Sequence, residues 1–148
     1  MDFFLVILIG ALFGSFANVC IHRLPLEKSV VGGRSYCPKC KKKIFWYDNI
    51  PIISYLLISG KCRKCKKKIS SQYPLVETLH IIFFIIIYFL FSISTTTILL
   101  MVLVLAFIII FFIDLKHYII PNILTFPLMV LGFVKSFDPN LNSLFPNY

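Results

Sequence analysis

Four of the five cysteines form two C-x₂-C pairs, Cys37-Pro-Lys-Cys40 and Cys62-Arg-Lys-Cys65, with 21 residues between the pairs. This spacing is typical of a zinc site with four thiolate ligands, in which each pair forms a tight turn. Four protein ligands leave no open position for water, so we expect a structural zinc. The alternatives are two disulfides or four uncoordinated thiols, and a reducing compartment disfavours the disulfides.

Basic residues surround both cysteine pairs. Four thiolates around Zn²⁺ carry a net charge of −2, which nearby cations offset. An alternative explanation is that these cations enforce the membrane topology and touch anionic lipid head groups, at about 1 kcal/mol each near the surface, and the two explanations are compatible. Nucleic-acid binding is a further alternative for a basic zinc ribbon, but aromatic interleaving is limited to residues 45–47. We therefore expect a lipid partner and no nucleic acid; the nine basic residues are Lys39, Lys41, Lys42, Lys43, Arg63, Lys64, Lys66, Lys67 and Lys68.

Asp114 directly follows an uninterrupted apolar run over residues 98–113. An ionisable residue at the edge of such a run is a functional candidate, although an interfacial pair with Lys116 is equally compatible with its position. A catalytic Asp114 indicates aspartic proteolysis, in which two carboxylates hold one water and their repulsion splits the pKa values of the pair. Of the other acids, Asp2 and Asp138 should lie on the wrong side of the membrane. Glu77 is on the right side, at the start of the second apolar run, but a helix N-terminal charge explains it as easily, so no second carboxylate is obvious.

The composition indicates the kind of scaffold that positions these residues. Of the 148 residues, 59% are hydrophobic and 14% are charged, and the mean hydropathy is +0.90. A soluble domain is less apolar, a disordered chain has few Phe and Ile, and a disulfide miniprotein has denser cysteines. The sequence therefore predicts an all-α polytopic membrane protein with a small cytoplasmic zinc-ribbon-like loop.

We expect about four transmembrane helices. The first run, residues 3–21, has no charged residue and at 1.5 Å per residue spans about 28 Å, close to a hydrocarbon core. It has no basic residues before it, so we interpret it as a retained span rather than a cleaved signal peptide. Residues 75–93 and 98–113 follow, and the fourth run, residues 119–134, is marginal because it is short and contains two prolines.

The charges are segregated along the chain. Thirteen of the 15 basic residues but only two acids fall between Arg23 and Lys68, a local charge of +11. The positive-inside rule places residues 22–74 in the cytoplasm and the N-terminus outside. We therefore divide the chain into a first transmembrane helix (1–22), a zinc loop (23–73), the remaining helices (74–136) and a loosely ordered tail (137–148).

Three small or polar residues of the first span recur every four positions: Gly10, Gly14 and Asn18. They share one helix face, on which the glycines permit close approach of another helix and Asn18 can hydrogen-bond across the contact. With Ser15, this face serves either helix packing alone or the lining of a polar cavity. Cys20 lies apart from the paired cysteines and is expected to be a buried apolar residue.

Several motifs in order resemble the bacterial type IV prepilin leader peptidases, and the similarity runs from about residue 10 to about residue 132. The first motif in the list below begins the N-terminal signature of that family, and the last motif resembles the segment that contains the family's first catalytic aspartate. The motifs are Gly14-Ser-Phe-Ala-Asn-Val19, Ile21-His-Arg-Leu-Pro25, Asp48-Asn-Ile-Pro-Ile-Ile-Ser-Tyr55, Gly60-Lys-Cys-Arg-Lys-Cys65, Ile69-Ser-Ser-Gln-Tyr-Pro-Leu-Val-Glu77 and Ile113-Asp-Leu-Lys-His-Tyr-Ile-Ile-Pro-Asn122.

The resemblance implies an inner-membrane aspartic endopeptidase that cleaves leader peptides from type IV prepilins or type II secretion pseudopilins. Many members also methylate the new N-terminus, with S-adenosylmethionine as the donor. Asp114 corresponds to the first catalytic aspartate of the family. The four paired cysteines correspond to the zinc-type cysteines that many members carry.

One departure from the family pattern is important. The family supplies its second catalytic aspartate in a Gly-x-Gly-Asp motif, and none of the six glycines here begins one. We therefore expect a truncated or split gene product, inactive alone, or a second subunit that supplies the missing aspartate. A non-catalytic, zinc-stiffened scaffold that binds pilin-like proteins and a residual methyltransferase are the alternative functions.

Overall fold

A computed structural model describes residues 2–32 and 35–137, and within them the regular structure is helical. Two isolated antiparallel bridges, in place of strands, occur in the loop between the first two long helices. The predicted tail from residue 138 onward lies outside the described residues. The helices are α1 (Asp2–Arg23), α2 (Ile53–Leu57), α3 (Gln72–Phe91), α4 (Thr95–His117) and α5 (Asn122–Phe137), with short 3₁₀ turns at Leu24–Leu26 and Trp46–Asn49.

Helices α1, α3 and α4 are long and apolar enough to cross a membrane. This confirms the prediction of an all-α membrane protein with a small cysteine-containing loop. The fourth predicted segment forms α5, which has 16 residues and so measures about 24 Å at 1.5 Å per residue. Its apolar part is shorter still, Asn122–Phe133, and Pro127 lies inside it.

Helices α1 and α3 pack most extensively because the glycines of α1 face the backbone of α3. A Cβ atom at Gly14 would lie 2.6 Å from the Cα of Glu77, and one at Gly10 would lie 2.9 Å from the Cα of Ile81. The predicted close approach at these glycines is therefore present. Next to it, α4 completes a small core of buried residues: Ala17, Cys20, Ile21, Val76, Ile108, Ile109 and Ile113.

The turn between α3 and α4 makes these two helices antiparallel. It spans three residues, and the hydroxyl of Ser94 caps α4 by accepting a hydrogen bond from the backbone of Thr97 at 3.2 Å. The C-terminus of α4 thus returns to the end of the bundle that carries the loop. There Tyr118 adopts a left-handed conformation and donates its N–H to the carbonyl of Asp114 at 2.9 Å, which terminates the helix.

Candidate metal centre and carboxylate site

Each C-x₂-C pair forms the same tight turn, which we call the first knuckle (residues 36–43) and the second knuckle (residues 61–68). In the first, the N–H of Cys37 donates to Lys42, and Lys41 has a left-handed φ of 55°. In the second, the N–H of Cys62 donates to Lys67, and Lys66 has a φ of 58°. An antiparallel bridge closes each turn. The two knuckles are therefore a local structural repeat.

The turns bring the four cysteine sulfurs together. All four Sγ atoms lie within 4.8 Å of one another, close enough to bind one metal ion. The Sγ atoms of Cys37 and Cys65 are 3.9 Å apart, and a tetrahedron with Zn–S bonds of 2.3 Å has S–S edges of about 3.8 Å. A disulfide would need about 2.05 Å, and all five cysteines are free. The cluster therefore fits a four-thiolate metal site.

The sulfurs influence one another's ionisation. Backbone N–H groups of Cys65 and Lys64 stabilise the Cys62 thiolate and lower its pKa to about 7. The N–H of Lys67 also favours the Cys65 thiolate, but desolvation and the neighbouring thiols oppose it more strongly and raise the pKa of Cys65 to about 11. The pKa values of Cys62 and Cys65 thus move in opposite directions, and a bound divalent metal would supply the positive charge that stabilises thiolates.

Aromatic and charged side chains connect the second knuckle to residues 45–48, which follow the first knuckle. The rings of Phe45 and Tyr47 stack with centroids 5.2 Å apart. From the second knuckle, Lys64 lies over the Phe45 ring and Arg63 over the Tyr47 ring, each 5.8 Å from the centroid. Arg63 also forms an ion pair of 2.6 Å with Asp48. These contacts fix the orientation of the segment that leads into α2.

The loop docks on the helix bundle through Glu77. This residue is the sixth of α3 and is buried, and its Oε2 accepts a 2.7 Å hydrogen bond from the backbone N–H of Ile52. Ile52 has φ 59° and ψ −54°, and the next N–H bonds back to Pro51, so these residues form a strained γ-turn. A β-branched residue rarely adopts positive φ, and the Glu77 carboxylate helps to hold it there.

Asn18 of α1 makes a polar contact with the start of α3. Its Nδ2 donates to the carbonyl of Tyr73 at 3.0 Å and to that of Gly14 at 3.3 Å. Two carbonyl partners fix the orientation of the amide. The side chain is buried, and its Oδ1 has no hydrogen-bond partner among the described residues.

A cavity of about 920 Å³ lies between the loop and the ends of the helices. This volume is typical of a small-molecule site. Both knuckles form its outer wall, and its inner wall contains Ser15, Asn18, His22, Glu77 and Lys116. The polar face of α1 thus has both roles that the sequence left open, because its glycines pack against α3 while Ser15 and Asn18 line a cavity.

Asp114 lies in the last turns of α4, at this same end of the bundle, and its side chain is exposed. It does not line the cavity, whereas Lys116, two residues further on, does. The expected alternative, an ion pair between Asp114 and Lys116, is not formed, since within the described part of the chain the salt bridge is Arg63–Asp48. The carboxylate of Asp114 is therefore free to contact a molecule bound beside the loop.

Sequence reasoning missed two features of this region. The Glu77–Ile52 bond joins positions 25 residues apart, and no residue type signals positive φ at an isoleucine. The second feature is the ion pair between Asp48 and Arg63, which joins positions 15 residues apart. The Pro51 in the sequence marks a turn, but it does not indicate which side chain would hold that turn.

Comparison with known proteins identifies relatives over most of the chain. The model of the bacterial peptidase A24 N-terminal domain matches residues 8–91. The prepilin leader peptidase/N-methyltransferase of Vibrio cholerae serotype O1 is 42% identical over 135 residues, which cover 86% of this chain and 53% of the relative. The relative with the same name from Myxococcus xanthus is 41% identical, and the match covers 91% of this chain and 40% of the relative.

A third relative with that name, from Pseudomonas aeruginosa, is 32% identical, with 88% of this chain and 53% of the relative covered. The chain thus spans about half the length of the curated relatives it matches. No solved structure matches it. In the part of the chain that the structure describes, three helices are long and apolar enough to cross a membrane, and together with these relatives they indicate a multi-pass inner-membrane protein. The chain belongs to the family of bacterial peptidase A24 N-terminal domains, and the relatives to which it is similar are named prepilin leader peptidase/N-methyltransferase.

Proposed function

We propose that this chain is part of an aspartic endopeptidase that cleaves leader peptides from type IV prepilins or type II secretion pseudopilins. The main support is the exposed carboxylate of Asp114 at the end of α4. It lies two residues before Lys116, which lines the cavity under the loop. The names of the relatives support this activity class. The basic loop, with its local charge of +11, supports a cytoplasmic location for this end of the bundle and an N-terminus outside.

The proposed chemistry requires a second carboxylate close to Asp114. One carboxylate of such a pair is ionised and accepts a proton from the attacking water, and the other is protonated and donates a proton to the reacting group. The described acids Asp48 and Glu77 already bind Arg63 and Ile52. The resembled family carries its second catalytic aspartate in a Gly-x-Gly-Asp motif, which these 148 residues lack, so the proposal is that a Gly-x-Gly-Asp segment of another polypeptide supplies the second carboxylate.

The test combines this chain, in lipid vesicles, with a purified pilin precursor and a membrane polypeptide that contains Gly-x-Gly-Asp. Cleavage is expected only in the presence of both polypeptides and is expected to be lost in Asp114→Asn. The matched control is Glu27→Gln, an exposed acid that should leave cleavage unchanged. Unchanged cleavage in Asp114→Asn removes this residue from the mechanism.

A zinc ion at Cys37, Cys40, Cys62 and Cys65 is proposed as the structural cofactor, supported by the clustering of the sulfurs. All four positions of a tetrahedral ion are then occupied by protein, so the ion has no position for water or substrate. Its role is to join the two knuckles, each of which is otherwise held by its own short turn.

S-adenosylmethionine is proposed as a second cofactor, as the methyl donor for the new N-terminus, because the relatives are named N-methyltransferases. The cavity under the loop has a suitable volume, with an acidic side chain (Glu77) and basic ones (Lys67, Lys116) on its walls for a ligand of mixed charge. Transfer of labelled methyl groups to a precut pilin tests this proposal. Absence of transfer by the two-polypeptide mixture would remove it.

The alternative function is a non-catalytic scaffold that binds pilin-like proteins. It is favoured by the separation of Asp114 from the cavity lining. Binding of a pilin precursor by this chain, without cleavage in any mixture, would support the scaffold over the peptidase.

A further inference from the structure

The loop exposes an apolar face on the side of α2 that points away from the cavity. Ile53, Leu56 and Leu57 have the spacing of one helix face, and Leu56 and Leu57 are 69% and 74% exposed. The opposite side of α2 is covered, since Ser54 is buried and Tyr55 lines the cavity. We call the three exposed residues the α2 apolar face.

The depth of α2 relative to the bundle is set by its contact with α3. Helix α3 has 20 residues, which at 1.5 Å per residue give about 30 Å, the thickness of a hydrocarbon core. The Glu77–Ile52 hydrogen bond attaches the start of α2 to the sixth residue of α3. That residue lies about 7.5 Å along the helix axis from its start. If α3 spans the bilayer, α2 lies near the boundary between head groups and acyl chains.

The charge around this helix also suits a lipid surface. Residues 23–68 contain 13 basic and two acidic residues, and such clusters bind anionic head groups. Helices that lie in the interface have apolar residues toward the acyl chains and basic residues toward water. Here the apolar face belongs to α2 and the basic residues belong to the knuckles on either side of it.

We propose that the α2 apolar face is inserted into the head-group region of an anionic bilayer, so that the loop is anchored to the membrane between its two flanking helices. The inference requires α3 to span the bilayer, but it does not depend on peptidase or methyltransferase activity. It assigns a lipid-binding role to a segment of the loop that is neither in the helix bundle nor in the cysteine cluster.

Tryptophan fluorescence tests the proposal because the chain has a single tryptophan, Trp46. The double variant Trp46→Phe, Leu56→Trp places the only tryptophan on the α2 apolar face. It is reconstituted in vesicles of phosphatidylethanolamine and phosphatidylglycerol, with or without lipids brominated on their acyl chains. Brominated lipids are expected to lower emission about twofold, since interfacial helices insert about 5–10 Å into the head-group and acyl boundary. Acrylamide should have little effect.

The matched control is Trp46→Phe, Lys61→Trp, which places the tryptophan on an exposed polar position of the second knuckle. This variant is expected to respond to acrylamide and not to brominated lipid. Circular dichroism of both variants checks that the helices are retained. Trp46→Phe, Leu57→Trp provides an independent second position on the same face and is expected to behave like the Leu56 variant.

Two results would overturn the proposal. If acrylamide quenches the tryptophans at positions 56 and 57 and brominated lipid does not, the face lies in water. If neither quencher acts, another protein surface covers it, and a dependence on the protein-to-lipid ratio would identify a second copy of this chain. Cleavage assays are not involved, so failure here leaves the proposed peptidase function untouched.

Discussion

Replacement of Gly14 by alanine tests the closest contact between the helices. A Cβ atom at this position would lie 2.6 Å from the Cα of Glu77 and 3.3 Å from its backbone N and O. These atoms are backbone, so they cannot rotate away as a side chain would. To reach an ordinary contact of 3.4 Å, α1 and α3 would have to separate by 0.8 Å at this point.

The expected change in the free energy of unfolding combines two destabilising contributions and one stabilising contribution. Overpacking of a well-packed contact costs about 1–3 kcal/mol. The hydrogen bond from Asn18 to Tyr73, one turn along, is 3.0 Å long, and its weakening adds up to about 1 kcal/mol. In the opposite direction, alanine in a helix interior is more stabilising than glycine by about 0.5–1 kcal/mol. We therefore expect Gly14→Ala to lower the free energy of unfolding by about 1–3 kcal/mol.

Two other glycines supply the controls. A Cβ atom at Gly10 would be 2.9 Å from Ile81, so Gly10→Ala should be less destabilising, and at Gly132 nothing lies within 4 Å. Gly132→Ala should raise stability by up to about 1 kcal/mol. The measurement is unfolding by sodium dodecyl sulfate in mixed micelles, followed by far-ultraviolet circular dichroism. If Gly14→Ala is as stable as Gly132→Ala, the α1–α3 packing described here is wrong.

The remaining predictions concern the loop. Elemental analysis should find about one zinc ion per chain, lost in the Cys37→Ser, Cys62→Ser double variant and retained in Cys20→Ser, whose thiol is buried in the helix core. Protein purified without chelator that contains no metal would contradict this. Glu77→Ala removes the acceptor of the Ile52 N–H, and the loss of this buried hydrogen bond costs about 1–2 kcal/mol. Opening of the loop should become correspondingly more frequent, so that trypsin cleaves it about 5- to 30-fold faster. Glu77→Gln keeps an acceptor oxygen and should have a smaller effect; equal cleavage rates in wild type, Glu77→Gln and Glu77→Ala would refute the docking role.

The membrane helices were predictable because their signal is local. An uncharged stretch such as residues 3–21 has one favourable environment, and its length at 1.5 Å per residue matches the bilayer. The spacing of four between Gly10, Gly14 and Asn18 likewise predicts a shared face. The cysteine cluster was predictable for the same reason, because each C-x₂-C pair already places two sulfurs on one turn.

The docking of the loop could not be predicted, because it depends on contacts between distant positions. Glu77 was equally compatible with a helix N-terminal charge, yet α3 begins five residues before it and the side chain is buried. Its partner is a backbone N–H at Ile52, in a conformation that isoleucine disfavours. The positive φ of Ile52 is stable because several contacts together offset its strain. A sequence pattern does not show contacts between residues that are far apart in the chain.

The loop lacks a hydrophobic core of its own. Among the described residues of 24–71, only Cys37, Ser54 and Gly60 are buried, and so few buried residues do not stabilise an independent domain. Two contacts therefore order the loop: the four-cysteine cluster, where a bound metal ion would join the knuckles to each other, and the hydrogen bond from Ile52 to Glu77, which joins the loop to α3. These contacts have no residue in common, so each can be removed while the other remains. The cavity under the loop is lined by Cys37 and Cys62 of the two knuckles and by Glu77, so we expect it to keep its shape only while both contacts are intact.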